Sequence, residues 1–308
     1  MSNSSMTRPE RIANLNYDYG SKEKQFVENC HLCGNDNWMV LTHHDRYGYP
    51  AQTTSCTTCA LTMLNPRMGN EGYAEFYEGV YRPLVSAYHG RLIDAQNIMA
   101  EQQDYSEEME RFFKPYLQGR ESSTFLDIGG STGVVAQHFT KCFGLKSTVL
   151  DPAPDEIAEA DALGIETVTA LFEEWPCAPK SYDIIGLFQT IDHLLDVKTA
   201  MAKIREIIKD DGLFLFDIVD FRAAYLKNWS VESATKVDHP YSFTEETTAL
   251  LLKRVGFRPL RKAYSQDHHL VAYVCEPCAP QPDAKPDPRE VAEFFREVRY
   301  VQNTAWKK

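Results

Sequence analysis

Four cysteines near the start of the chain have the spacing of a zinc site. Cys30 and Cys33 form one Cys-x-x-Cys pair, and Cys56 and Cys59 form a second. Each pair places two thiolates on one tight turn and can supply half of a tetrahedral site. Four unrelated buried cysteines are the alternative, but two matched pairs in so short a segment favour a metal. Because four thiolates leave no position open, we expect the zinc to be structural.

A glycine-rich segment further along the chain has the composition of a cofactor loop. Residues 125–133 read Phe-Leu-Asp-Ile-Gly-Gly-Ser-Thr-Gly. Such a turn between a strand and a helix lets main-chain amides approach a ligand closely. The carboxylate of Asp127 would repel phosphate there and would favour a cationic ligand with an amino group. Asp151 ends the next predicted strand, where its two oxygens can hold both hydroxyls of a ribose. A plain strand-ending turn is the alternative for Asp151.

The elements that must position these residues alternate between strand and helix patterns. This alternation predicts a parallel sheet with helices on both faces. A last helix, two strands that form an edge hairpin, and an amphipathic tail helix follow. The predicted strands are 124–128, 147–150, 165–169, 182–188, 213–219, 257–264 and 269–275, and the predicted helices are 132–143, 155–163, 197–208, 244–255 and 289–300.

Composition excludes several classes of protein. The chain has 308 residues and a net charge of -12, so it should repel the phosphate backbone of nucleic acids. It has no apolar run of about 18 residues, and we therefore expect no membrane span. Its first residues lack the apolar core of a signal peptide, and its cysteines fit reduced thiols. We expect a cytoplasmic monomer or homodimer.

Together, the loop with Asp127 and Asp151, the segment 171–176, the segment 188–194 and the turn 207–212 resemble the class I S-adenosylmethionine-dependent methyltransferases. The resemblance covers roughly residues 120 to 275. It implies an α/β, Rossmann-like seven-stranded sheet, mostly parallel with an antiparallel hairpin at its C-terminal edge, preceded by a small zinc-ribbon module. It also implies that S-adenosylmethionine is the cofactor. The residues that it assigns to cofactor binding are Asp127, Gly129, Gly130, Ser131, Gly133, Asp151, Pro152, Leu171, Phe172 and Phe188.

A zinc ribbon before such a domain resembles the nucleotide-sugar C-methyltransferases and related enzymes of glycan and natural-product pathways. This resemblance implies a small-molecule or sugar-nucleotide substrate. His193 follows the fourth predicted strand and is the first candidate for a general base, with a packing role as the alternative. His239 and Tyr241 lie in a second loop that we expect to face the same pocket. A non-catalytic scaffold and an RNA or protein methyltransferase are the rival functions.

These patterns divide the chain into five segments. We expect a flexible N-terminus, a zinc-binding module, a helical linker or lid, the methyltransferase domain, and a Pro-rich linker with a C-terminal helix. Their ranges are 1–24, 25–68, 69–119, 120–276 and 277–308.

Overall fold

A computed structural model describes residues 6–305, and its N-terminal part is built around the four cysteines. After helix α1 (Arg8–Ala13), three antiparallel strands follow: β1 (Trp38–Thr42), β2 (Thr53–Cys56) and β3 (Thr62–Leu64). Residues 1–5 of the segment expected to be flexible lie outside the described residues. Residues 6–24 differ from that expectation, because they contain α1 and the fully buried Tyr19.

Three helices connect this module to the main sheet. They are α2 (Asn70–Gly79), α3 (Tyr81–His89) and α4 (Ala95–Leu117). Helices α2 and α3 bury aromatic and aliphatic side chains in a cluster that also holds Tyr19. The long α4 presents apolar residues at helical spacing to helix α5 (Val134–Phe143). The linker is therefore packed on both neighbouring parts of the chain.

The main sheet has seven strands, as the sequence predicted. Its strands are β4 (Thr124–Ile128), β5 (Lys146–Asp151), β6 (Glu166–Thr169), β7 (Tyr182–Leu187), β8 (Ile208–Val219), β10 (Phe257–Tyr264) and β11 (Leu270–Pro277). Their order in space is β10-β11-β8-β7-β4-β5-β6. The pairs from β6 to β8 are parallel, and β11 pairs with β8 and β10 in antiparallel fashion. The predicted fold class is confirmed.

Helices cover both faces of this sheet, which explains its nearly continuous apolar strands. The remaining elements are α6 (Pro154–Ala162), α7 (Val197–Ile207), α8 (Phe221–Asn228), the short strand β9 (Tyr241–Ser242), α9 (Glu245–Val255) and α10 (Pro288–Thr304). Helix α10 buries its apolar face against α8 and against Leu41 of β1. No helix within residues 6–305 is long and apolar enough to cross a membrane.

The zinc-binding module and the main domain share a sheet. Strand β9 pairs with β3, so that Met63 lies opposite Tyr241 in a four-stranded sheet of order β1-β2-β3-β9. The main-chain N–H of Leu64 also donates to the carbonyl of Pro240 at 2.9 Å. The segment before β9 is thus fixed to the module rather than to the main sheet.

Candidate functional site

The four predicted metal ligands converge on one point. The Sγ atoms of Cys30, Cys33, Cys56 and Cys59 all lie within 4.8 Å of one another. Across the pairs, Cys30 is 3.5 Å from Cys59, and Cys33 is 3.5 Å from Cys56. A tetrahedron with zinc–sulfur bonds of about 2.3 Å has sulfur–sulfur edges of about 3.8 Å. The donor set and its spacing fit a structural zinc ion.

The glycine-rich loop turns sharply between β4 and α5. Gly129, Ser131 and Gly133 have φ values of 68°, 49° and 75°, which is the left-handed region that glycine adopts without strain. A Cβ atom on Gly129 would lie 2.5 Å from Cγ2 of Thr190, and one on Gly130 would lie 2.9 Å from the carboxyl of Asp127. The glycines therefore let the loop pass close to its neighbours.

Asp127 is the unusual residue of this loop. It is 1% exposed, and neither carboxylate oxygen has a hydrogen-bond partner among the described residues. Burial, with a smaller effect from the charge of Asp151, raises its pKa to about 7. A buried carboxylate without partners is costly unless a ligand supplies a donor or a positive charge. The site therefore fits a ligand with a cationic amino group.

Asp151 lies at the end of β5, beside the loop. Its Oδ2 accepts the N–H of Ser131 at 3.0 Å, and its Oδ1 accepts the N–H of Ala153 at 2.9 Å. Burial raises its pKa to about 6, although these two bonds lower it. Each oxygen keeps a second lone pair, which is what the two hydroxyls of a ribose require. Asp127 and Asp151 together fit the amino and ribose groups of S-adenosylmethionine.

Sequence reasoning missed the residues that hold helices α3 and α6 against this loop. The Oε2 of Glu156 accepts the Ser131 hydroxyl at 2.6 Å, and its Oε1 accepts Nε of Arg82 at 3.0 Å. The side chain of Gln102 on α4 accepts the hydroxyl of Thr132. These contacts are long-range, and no local pattern marks their residues.

A second missed residue is Asp217, near the carboxyl end of β8. It accepts the N–H of Gln189 at 2.6 Å and the hydroxyl of Tyr105 at 2.8 Å. Burial raises its pKa to about 6. Its acidic side chain in the apolar second half of β8 was a signal that the sequence did carry.

His193 lies in a tight turn after β7, at the carboxyl edge of the sheet. Its Nδ1 is 2.7 Å from the hydroxyl of Tyr77, which also donates to the main-chain carbonyl of Asp238 at 3.1 Å. Burial lowers the pKa of His193 to about 4, although the charge of Asp192 raises it. The ring is therefore neutral at pH 7.

His239 is brought next to His193, with ring centres 4.6 Å apart. Its Nδ1 is 2.5 Å from Oδ2 of Asp192, and its Nε2 is 3.0 Å from Nζ of Lys236. Burial would raise the pKa of Asp192, but the charge of His239 brings it below its usual range. Both ring nitrogens of His239 are thus engaged.

Tyr241 does not join this cluster, contrary to expectation. Its buried hydroxyl donates to the carbonyl of Leu195 at 3.0 Å and contacts Nδ1 of His31. The guanidinium of Arg67 lies over its ring, 5.1 Å from the centre. Because β9 pairs with β3, the phenol contacts His31 and Arg67 of the N-terminal module.

Four predicted cofactor residues have other surroundings. Phe188 packs among Phe113 and Phe139 in the core, and Phe172 is buried beneath the ammonium of Lys203. Both residues therefore have packing roles for their rings, which leaves only their main-chain atoms for contact with a cofactor. Leu171 is partly exposed in the loop after β6, and Pro152 is exposed in the turn after β5.

Comparison with known proteins agrees with the fold. A family model described as a methyltransferase domain matches residues 99–262. The solved structure of 1,6-didemethyltoxoflavin-N1-methyltransferase from Burkholderia thailandensis is 18% identical in sequence to this chain, with a TM-score of 0.50. The match covers 71% of this chain and 96% of that enzyme. A protein of Pyrococcus horikoshii OT3 is also 18% identical, with a TM-score of 0.49, covering 57% of this chain and 91% of its own. At these identities the structural similarity concerns the fold alone. No protein with a curated function matches the chain.

Proposed function

Because this chain belongs to the S-adenosylmethionine-dependent methyltransferase family, we propose that it methylates a small molecule or a sugar-linked metabolite, with His193 as general base. The observation that carries the cofactor site is the buried, unpartnered carboxylate of Asp127 beside Asp151 and the glycine loop. Bound there, S-adenosylmethionine would supply an activated methyl group. The protein's remaining tasks are to orient the acceptor, exclude water and remove a proton.

The position of His193 supports its role as base. Thr190, three residues earlier, is in contact with Gly129, so the turn that carries His193 borders the cofactor loop. Tyr77 has a single hydroxyl proton, which it donates in the hydrogen bond to the carbonyl of Asp238. Nδ1 of His193 must therefore carry a hydrogen and donate it to the oxygen of Tyr77. This tautomer leaves the lone pair on Nε2, for which no hydrogen-bond partner exists within residues 6–305. Nε2 is then the atom that accepts the acceptor's proton as the methyl group moves.

His239 has a different role in this proposal. Asp192 and Lys236 occupy its two ring nitrogens, so it holds the wall of the acceptor pocket next to His193. Tyr77 and Tyr81 lie against the other side of the His193 ring. Such a pocket, largely buried and lined by rings, suits a small acceptor better than a polymer. The overall charge of -12 also argues against an RNA substrate.

The cofactor is tested by calorimetric titration of S-adenosylmethionine and S-adenosylhomocysteine. We expect micromolar binding of both to the wild type. Asp151→Ala should weaken it by about 10- to 100-fold, because hydrogen bonds to a charged group are lost. Asp161→Ala removes an exposed carboxylate on α6 and is the matched control. Absence of binding to the folded wild type would refute the cofactor assignment.

The base is tested by methyl transfer to a panel of nucleoside-diphosphate sugars and other small hydroxyl, amine and carbon-acid acceptors. His193→Gln should lower kcat by about 100- to 10,000-fold and leave cofactor binding unchanged. His239→Gln should have a smaller effect on kcat. The reverse order of the two effects would assign the base to His239 and overturn the proposed division of roles.

A further inference from the structure

A second group of metal-ligating side chains lies away from the cofactor loop, between α4 and α5. Glu110 comes from α4, and His138 and Cys142 come from successive turns of α5. The Oε2 of Glu110 is 2.9 Å from Nε2 of His138. The Sγ of Cys142 is 3.6 Å from each of these two atoms. One nitrogen, one oxygen and one sulfur thus form a closed triangle.

The triangle has the dimensions of one face of a zinc tetrahedron. With zinc–nitrogen and zinc–oxygen bonds of about 2.0–2.1 Å and a zinc–sulfur bond of about 2.3 Å, the N–O edge is about 3.3 Å and the edges to sulfur are about 3.6 Å. The two observed edges to sulfur equal these values, and the N–O edge needs to open by only a few tenths of an ångström. We propose that Glu110, His138 and Cys142 bind a zinc ion.

The surroundings of the three ligands support this assignment. The Nε2 of Gln103 lies 3.4 Å from Nδ1 of His138. With this amide turned so that its oxygen faces the ring, Gln103 would accept the Nδ1–H that metal binding through Nε2 requires. Lys114 lies 3.9 Å from Oε1 of Glu110, which is the oxygen outside the triangle. Cys142 is exposed, so solvent and chelators can reach this site. This site would therefore exchange its zinc more readily than the four-cysteine centre.

The position of the site suggests what a bound ion would do. Helix α5 begins at the glycine loop, and α4 contacts the same region through Gln102 and through Tyr105, whose hydroxyl donates to Asp217. An ion held by both helices would restrain α4 over the cofactor loop. Zinc at this site should therefore slow amide hydrogen exchange in α4.

Zinc content of the purified full chain, equilibrated with buffered free Zn²⁺, tests the proposal. The wild type should hold two zinc ions per chain. Cys142→Ser and His138→Gln should each hold one, with the weaker of the two binding steps lost. Cys278→Ser changes a cysteine remote from both sites and should still hold two. With Co²⁺ as the probe, Cys142→Ser should lose part of the thiolate charge-transfer absorption.

Two results would overturn the proposal. One is a single zinc ion in the wild type, which would make the triangle an ordinary ion pair with a nearby thiol. The other is a second ion that survives both substitutions. His138→Gln keeps the test valid if Cys142→Ser proves unstable, because the two residues contribute different atoms to the same triangle. Thermal unfolding of each variant shows whether the four-cysteine module is still folded.

Discussion

Replacing Asp127 with asparagine should change the stability of this protein and its affinity for the cofactor in opposite directions. The carboxylate is buried without a partner, and its pKa is raised to about 7 in the folded chain. A carboxyl whose pKa rises from about 4 to about 7 on folding destabilises the protein by about 4 kcal/mol above pH 7. The asparagine amide has its own desolvation cost of about 1–3 kcal/mol. We therefore expect Asp127→Asn to stabilise the cofactor-free protein by about 2 kcal/mol at pH 8.

The sign of the pH dependence follows from the raised pKa. The penalty is absent below pH 4, where the carboxyl is protonated in both states, and it grows until pH 7. At pH 5 it amounts to only about 1.5 kcal/mol, which the asparagine amide offsets. Thermal unfolding should show a gain of about 3 °C at pH 8 and almost none at pH 5. Calorimetry should show weaker binding of S-adenosylmethionine, because the partner of its amino group has lost its charge.

Asp183→Asn is the matched control, at the opposite end of the neighbouring strand β7. Burial raises the pKa of Asp183, but hydrogen bonds from Lys209 and Thr124 lower it further, so that it lies below its usual value. This substitution should destabilise the protein at pH 8 and leave cofactor affinity unchanged. If the Asp127→Asn variant is no more stable than the wild type at pH 8, the buried carboxylate of Asp127 does not destabilise the folded protein as argued. Unchanged affinity would refute the role of that charge in cofactor binding.

Two further predictions concern the loop and the metal. Gly129→Ala should lower the free energy of unfolding in urea more than Gly164→Ala does, because both glycines have positive φ but only the first would place a Cβ against Thr190. The left-handed backbone alone costs about 1–2 kcal/mol in either variant. Equal losses of stability in the two variants would contradict the close contact with Thr190. Removing zinc from the four-cysteine centre with a chelator should speed amide hydrogen exchange at Leu64 and in residues 235–242, because β3 holds the segment before β9. If faster exchange is confined to the metal-binding turns, the module does not position that segment.

The sequence predicted those parts of the structure that depend on local patterns. Alternating apolar strands and helices predicted the main sheet, and paired cysteines predicted the four-cysteine cluster, because each signal lies within a few residues. The pairing of β9 with β3 was not predictable, since a two-residue strand has no pattern of its own. The orientation of Tyr241 depends on that pairing, and so it was missed. The packing role of Phe188 likewise depends on α4, which lies far away in sequence.

The four-cysteine module supports the loop that carries His239, which the proposed function places beside the acceptor. The loop that carries Lys236, Asp238 and His239 contacts the module in two places. The N–H of Val237 donates to Oδ2 of Asp45 at 2.7 Å, and β9 continues the module's sheet. A short loop that buries several charges needs such support, because each charge must be held against its partner. In the proposed function, a zinc ion bound by the four cysteines would therefore act by fixing the geometry next to His193, without contacting the substrate.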